Sequence, residues 1–186
     1  MRVIAGKAKR LILVTPRGLK TRPTTDRIKE TLFNMLQPEL FGVRFLDLFS
    51  GSGQIGIEAL SRGASEAVFV ESDKEAVKCI RENLSHTRLE SQAELIDRDA
   101  VTALGRLRGK GEFDLVFMDP PYDSDLAEQC LALLISYGLI TADSLIIVES
   151  NIKKDFSFAE KLGYTIEREK TYKTNKHVFL RAGGKE

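Results

Sequence analysis

From residue 45 onward the chain alternates short apolar runs with amphipathic stretches. The runs cover residues 45–49, 67–70, 93–96, 113–118 and 145–148. Each is nearly continuous in apolar character rather than alternating, which predicts strands covered on both faces, as in a parallel sheet. Between them, residues 74–84 set Val77, Ile80 and Leu84 on one helical face with Lys and Glu opposite. Residues 124–137 repeat the pattern through Leu126, Leu133 and Leu134. Five β–α repeats at this spacing predict an open α/β sheet with right-handed crossovers. The alternation then breaks. After a short helix near 155–161, runs at 164–168 and 177–181 flank a polar loop at 171–176 and predict an antiparallel pair that completes seven strands. Upstream, Arg22-Pro23-Thr24-Thr25 precedes a helix carrying Ile28, Leu32, Met35 and Leu36, with a Thr as its cap and Pro38 closing it.

Composition narrows the class. With 186 residues, 42% of them hydrophobic, the chain suits one domain and is too apolar to be disordered. No apolar run approaches the roughly 18 residues of a membrane span, and the first residues lack the apolar stretch of a signal peptide. Cys79 and Cys130 provide neither a disulfide framework nor a metal-ligand spacing and fall in helix patterns as core residues. A cytoplasmic protein without membrane or metal is expected, and with no coiled coil or long apolar edge, a monomer.

The net charge of +1 conceals an asymmetry. Nine basic residues and a single acid, Asp26, fall within residues 1–29, a net of +8, while the other 157 residues carry 19 basic and 26 acidic side chains, a net of −7. Val3-Ile4 and Leu11-Ile12-Leu13-Val14 flank Gly6-Lys7-Ala8-Lys9-Arg10, a pattern that predicts a short β-hairpin. The division expected is a basic N-terminal hairpin arm over residues 1–22 on an α/β domain over 23–186, together one structural unit.

Two motifs carry chemistry. Asp47-Leu48-Phe49-Ser50-Gly51-Ser52-Gly53-Gln54-Ile55-Gly56 follows the first strand and opens a helix. Its glycines allow a tight turn and close approach to a ligand, with helix N–H groups facing it. Gly51-x-Gly53-x-x-Gly56 matches the dinucleotide fingerprint, and Glu71 ends the next strand at the offset suited to ribose hydroxyls, so an NAD(P) oxidoreductase is one reading. Asp47 argues otherwise. A carboxylate aimed at a pyrophosphate is repulsive, whereas it suits the amino group of S-adenosylmethionine, a cofactor with no phosphate.

The second motif, Asp119-Pro120-Pro121-Tyr122, directly follows the fourth strand, at the end where open α/β sheets bind ligands. Two prolines make a rigid turn by themselves. The tetrapeptide also supplies a carboxylate, a prolyl carbonyl and an aromatic face. That set fits a planar base bearing an exocyclic amine: the two acceptors hold its N–H groups and Tyr122 stacks on its ring.

With both motifs in view, the chain resembles S-adenosylmethionine-dependent amino methyltransferases. Arg22-Pro23-Thr24-Thr25-Asp26-Arg27, Glu30-Thr31-Leu32-Phe33-Asn34, Gly56-Ile57-Glu58-Ala59-Leu60-Ser61-Arg62-Gly63 and Val148-Glu149-Ser150 resemble the RsmD family in particular, bacterial enzymes that methylate N2 of guanine 966 in 16S ribosomal RNA. The likeness runs from Arg2 to about Arg181 and implies a Rossmann-like methyltransferase fold. Position by position it implies that Asp47, Ser50, Gly51 and Gly53 hold the methionine end of the cofactor, that Glu71 takes the ribose hydroxyls with Ser72 beside it, and that Asp99 accepts from the adenine amine with Ala100 alongside. Asp99 also sits where it could simply cap the following helix. Related enzymes often carry Asn at the position of Asp119, so the tetrapeptide supports amine methylation without choosing the base. An adenine-N6 methyltransferase is therefore the alternative within this class, although 186 residues leave no room for a separate target-recognition domain.

The reaction expected is direct transfer onto the guanine amine, with Asp119, Pro120, Pro121 and Tyr122 as the catalytic residues. Reaching that amine needs an unpaired or extruded nucleotide. Lys7, Lys9, Arg10, Arg22 and Arg27 are the expected phosphate contacts on 16S ribosomal RNA within a small-subunit particle. Residues 172–176 would offer a second contact or a solvated hairpin tip.

Overall fold

The computed structural model describes residues 1–16 and 25–183. Arg22, one of the expected RNA contacts, lies outside the described residues. The chain divides into two compact units, Met1–Arg98 and Asp99–Glu186.

The first unit contains α1 (Asp26–Leu36), β1 (Arg44–Leu48), α2 (Gln54–Ser61), β2 (Glu66–Glu71), α3 (Lys74–Thr87) and β3 (Ala93–Asp97). Thr25 is the cap of α1, its hydroxyl accepting the Ile28 N–H at 3.3 Å. The helix buries Leu32, Phe33 and Leu36, and Pro38 lies in the short 3₁₀ turn that ends it. The strands are parallel in the order β3-β2-β1, with Asp47 opposite Phe69 and Glu71 opposite Asp97. β1 and β2 are buried almost throughout, as their unbroken apolar runs require.

The arm folds back on itself: the N–H groups of Leu13 and Val3 donate to the carbonyls of Met1 and Leu11, both at 3.0 Å, and Arg2 bridges to Ile12. It is fastened along α2. Glu58 accepts the N–H groups of Ile4 at 2.8 Å and Ala5 at 3.0 Å. The Ser61 hydroxyl accepts from Ala8 N–H at 2.9 Å and donates to the Ala5 carbonyl at 2.6 Å. Gly6, at φ +82°, passes so close that a Cβ there would lie 1.8 Å from the Ser61 carbonyl oxygen. Two of the cations within residues 1–29 are spent on this docking. Lys29 is wholly buried, donating to the Arg2 carbonyl at 2.6 Å, and Arg2 pairs with Asp26 at 3.0 Å. The cationic surface is thus smaller than the charge count suggests.

The second unit contains α4 (Ala100–Leu107), β4 (Leu115–Met118), α5 (Leu126–Ser136), β5 (Leu145–Asn151), α6 (Ser157–Lys161), β6 (Tyr164–Thr171) and β7 (Asn175–Ala182). Its order is β4-β5-β7-β6, with β4 parallel to β5 and β7 antiparallel to both its neighbours. The seven strands make a mixed sheet, mostly parallel, with the predicted antiparallel pair at its close. A doubly wound dinucleotide fold would continue with a parallel strand here, so the inserted β7 counts against the oxidoreductase reading.

Three expectations shift. β4 begins at Leu115, because the Phe113 N–H is already bonded to the Leu139 carbonyl at 2.8 Å. The buried line of α5 is Ala127, Cys130, Leu131 and Leu134, a stricter i, i+3, i+4, i+7 stripe that leaves Leu126 and Leu133 half-buried. The polar loop expected at 171–176 is confined to 172–174, because ladder bonds form regardless of side-chain polarity: Thr171 ends β6, Asn175 begins β7, and Thr171 pairs with Lys176. Lys176 is therefore no hairpin tip. It is 6% exposed, bonded to Glu169 at 2.9 Å, with its ammonium 5.5 Å from the Phe156 ring centre. Cys130 is buried as expected, but Cys79 is only partly so. Among the described residues, no helix is long and apolar enough to cross a membrane.

Candidate active site

In the first unit the chain leaves β1 through a tight turn. Phe49, Gly51 and Gly53 all adopt positive φ, at 62°, 54° and 77°, and Gly53 is the N-cap of α2. The turn is tied from beneath by Ser50, whose N–H donates to the Val70 carbonyl at 3.0 Å while its hydroxyl donates to the Asp47 carbonyl at 2.7 Å. Asp47 is 1% exposed and accepts the Gly56 N–H at 2.9 Å, so part of its work is to hold the start of α2 against β1. Burial pushes its carboxyl up to about 7; the Gly56 bond opposes the rise and nearby Glu71 adds to it.

Glu71, at the end of β2, is fixed by backbone. Its carboxylate accepts the Gly51 N–H at 2.8 Å, the Ser72 N–H at 2.8 Å and the Asp73 N–H at 2.9 Å. Asp47, Ser50, Gly51, Gly53, Glu71 and Ser72 are thus brought together in one turn-and-strand-end cluster. Sequence reasoning missed two neighbours. Gln54 is buried, and its Oε1 has no hydrogen-bond partner among the described residues. Asn83 on α3 donates to the Ser52 carbonyl at 2.9 Å and exchanges hydrogen bonds with both the N–H and the carbonyl of Val14, linking the glycine turn to the arm. Neither stands out in a sequence, since a lone Gln or Asn matches no motif.

The cluster fits S-adenosylmethionine. Two carboxylates flank the turn, and a buried amide oxygen there wants a donor, which a ligand ammonium or hydroxyl supplies and a pyrophosphate does not.

In the second unit, Asp119 and Pro120 follow β4 directly, Pro120 buried and Tyr122 41% exposed. The Pro121 carbonyl accepts from the Ser124 hydroxyl at 2.6 Å, closing the turn, and the Ser124 carbonyl accepts from Lys154 at 2.8 Å. Burial, then Glu149, then Asp119 push the Tyr122 phenol up to about 12, so it stays neutral. Glu149 itself is buried on β5, where it accepts from Asn175 at 2.6 Å and meets His177 Nε2 at 3.1 Å. A signal for it existed: like Asp119, it is a carboxylate that ends an unbroken apolar run. Asp99 is exposed and caps α4, accepting the Thr102 N–H at 2.9 Å, which holds its carboxyl below the usual range; Ala100 behind it is buried.

Lys7, Lys9, Arg10 and Arg27 are all exposed, and Lys7 donates to Gln92. Among the described residues, no cluster of three or more His, Cys, Asp or Glu could hold a metal.

The sequence model of the family described as conserved hypothetical protein 95 matches residues 1–181. Ribosomal RNA small subunit methyltransferase D of Haemophilus influenzae is 39% identical over 174 residues, 92% of this chain and 88% of that protein. The protein of the same name from Escherichia coli is 37% identical over 154 residues, 82% and 76% of the two chains. Among solved structures, a hypothetical protein of Thermus thermophilus aligns with a TM-score of 0.82 at 30% identity, covering 98% of this chain and 99% of its own.

Proposed function

The chain belongs to the RsmD family, and from that premise we propose that it methylates 16S ribosomal RNA at N2 of guanine 966, with S-adenosylmethionine as methyl donor. It is a ribosomal RNA methyltransferase. The observation that carries the site assignment is the placement of Asp119 and the Pro120 carbonyl at the end of β4 with half-exposed Tyr122 beyond them.

The cofactor supplies an electrophilic methyl on a sulfonium. The chain's residues do the rest. Asp47, Ser50, Gly51 and Gly53 would seat the methionine end and Glu71 the ribose hydroxyls, with Ser72 beside it. Asp99 and Ala100 would face the adenine, Asp99 keeping its capping bond.

The lone pair of a guanine amine is delocalised into the ring, which makes it a poor nucleophile. Asp119 and the Pro120 carbonyl would each accept one N2–H, localising that lone pair and aiming it. Pro121 keeps the turn rigid and Tyr122 stacks on the base. As the N–C bond forms at the expense of the methyl–sulfur bond, whose sulfur would leave as a neutral thioether, N2 becomes acidic and its proton passes to the Asp119 carboxylate or to water, so no strong base is required beforehand. Orientation of this kind accounts for roughly 7–11 kcal/mol in favourable intramolecular cases. The transfer as written needs no metal.

Lys7, Lys9, Arg10, Arg22 and Arg27 would grip phosphates and leave base reading to the site. In this reading the arm of residues 1–22 serves RNA binding and residues 23–186 serve methyl transfer, in a cytoplasmic monomer acting on a small-subunit particle.

The test is transfer of labelled methyl to unmodified small-subunit RNA, naked and protein-bound, followed by nucleoside mapping. Label on guanine N2, abolished by Asp119→Ala with cofactor binding retained, is the expected result. Label on adenine would overturn the base assignment.

A further inference from the structure

We infer that Glu149 reads the N1–H of the target guanine and so sets the preference for guanine over bases whose N1 is unprotonated. This rests on the methyl-transfer reading above and adds a specificity-determining residue to the same site.

The backbone register places it there. β4 and β5 are parallel, with Leu115 opposite Leu145 and Met118 opposite Val148. Carried one residue past the last paired position, that register sets Asp119, which directly follows β4, beside Glu149 on β5, where strand spacing is about 4.8 Å and partners share a face. Tyr122 senses both: after burial, Glu149 and then Asp119 raise its phenol. The Glu149 carboxylate therefore borders the position assigned to the base.

Its orientation is fixed from the other side by β7. Asn175 donates to Oε1 at 2.6 Å and His177 Nε2 meets Oε2 at 3.1 Å. His177 is itself 0% exposed, with its ring edge-on to Phe117 at 6.0 Å and to Tyr172 at 5.2 Å between centroids. These two side-chain bonds from one strand fix the direction in which the carboxylate is held.

Guanine's pairing edge fits what this pair of strands offers. It presents the N2 amine and, beside it, the N1–H, two adjacent donor groups. Asp119 and the Pro120 carbonyl take the amine, and a carboxylate abreast of Asp119 takes N1–H as a charge-assisted bond. Adenine, or any purine with a bare N1, puts a lone pair against that carboxylate. Sites built to bond a polar group reject analogues lacking it far more strongly than apolar pockets reject an extra methylene. A merely structural Glu149, serving only to strap β7 to β5, would show no such selectivity.

The experiment compares two RNAs of identical sequence, one with guanine at the target and one with 2-aminopurine, which keeps the 2-amino group but has no N1–H. The unmodified enzyme is expected to favour guanine by about 100-fold or more in kcat/KM. In Glu149→Gln, whose amide can present an N–H to a bare N1, guanine activity is expected to fall and the guanine to 2-aminopurine ratio to collapse by at least about tenfold. Calorimetry with S-adenosylmethionine should show unchanged cofactor affinity.

Equal losses on both RNAs would overturn the inference, as would equal rates for the unmodified enzyme. If E149Q does not fold, Asn175→Ala replaces it: loosening the carboxylate should erode the ratio, and an unchanged ratio sinks the idea. Failure of the underlying reading looks different, since the unmodified enzyme would then bind cofactor yet methylate neither RNA.

Discussion

Lys29 and Glu58 face each other across 3.5 Å, and neither side chain is exposed to solvent. Burial lowers the Lys29 pKa, with Glu58 opposing that shift. Glu58 also takes the Ile4 and Ala5 N–H groups and the Arg62 guanidinium at 2.7 Å, making it the anchor of the arm. Removing one partner of a buried pair leaves a stranded charge, which costs about 3–5 kcal/mol. Glu58→Ala should lose that much stability in denaturant unfolding and expose the arm to proteolysis. A double variant, Lys29→Met with Glu58→Leu, should recover part of the stability but not the arm's docking, because the Ile4 and Ala5 donors remain unmet. If Glu58→Ala unfolds at the same denaturant concentration as the parent, the anchor role is wrong.

Asp47 should make both folding and cofactor binding depend on pH. Its carboxyl titrates at 3.8 when unperturbed and at about 7 in the folded chain, raised chiefly by burial. Between those values the folded state holds a proton that the unfolded state has released. The contribution of Asp47 to stability is therefore complete below the lower value and lost as pH rises through the upper one. Asp47→Asn lacks this dependence, so the stability of the parent relative to the variant should decline from acid to neutral pH. A ligand cation seated beside Asp47 favours the carboxylate, so cofactor binding should expel the proton. Affinity should then climb by up to about tenfold per pH unit below 7 and level off above it. Calorimetry across that range should show the climb for the parent and a flat, weaker response for the variant. A flat response in the parent would separate Asp47 from the cofactor.

Much of this site is visible before any coordinates. Asp47 interrupts an apolar run, Glu71 and Asp119 each end one, and Gly51 and Gly53 lie where a strand must turn into a helix, so spacing alone marks them. Features built by distant parts of the chain are hidden. Glu58 reads as one more charge on an amphipathic helix, yet every residue of α2 is buried, because the arm covers the side that pattern reasoning assigns to water. Lys176 and Asn175 read as loop for the converse reason: the backbone ladder of β6 and β7 holds polar residues that hydrophobic periodicity cannot register. The buried stripe on α5 lies one position around the helical wheel from the expected one, since Leu126 and Leu133 share its spacing with the residues that face inward.

Gln54 offers a test of whether the glycine turn is shaped for a ligand at the cost of stability. A buried acceptor left without a donor costs about 1–3 kcal/mol. Its Oε1 has no partner among the described residues. Gln54→Leu, close in volume and apolar, should therefore raise the stability of the ligand-free chain by about 1 kcal/mol. The same change should weaken S-adenosylmethionine binding several-fold by removing an acceptor for the cofactor. Unfolding and calorimetry give the two readouts separately. A variant that is more stable yet equally tight for the cofactor would show that the unmet acceptor costs stability without serving the ligand.

The arm's remaining cations should govern affinity for RNA without governing cofactor binding. With Lys29 buried and Arg2 paired to Asp26, the described residues left to meet phosphate on the arm are Lys9 and Arg10, together with Lys7, which is shared with Gln92. Arg10 sits at φ +73°, so the informative replacement is Asn, which tolerates that backbone where most residues would add strain. Each phosphate contact to single-stranded RNA contributes about 0.7 to the slope of log affinity against log salt. Lys9→Ala combined with Arg10→Asn should therefore flatten that slope by about 1.4 and weaken binding at low salt far more than at high salt. Affinity for S-adenosylmethionine should stay where it was, since neither residue belongs to the turn around Asp47 and Glu71. A loss of RNA affinity that is equal at all salt concentrations would mean the two residues act by shaping the hairpin. An unchanged slope with unchanged affinity would take Lys9 and Arg10 out of the RNA contact and leave it to cations such as Lys7 or Arg27, at the first turn of α1.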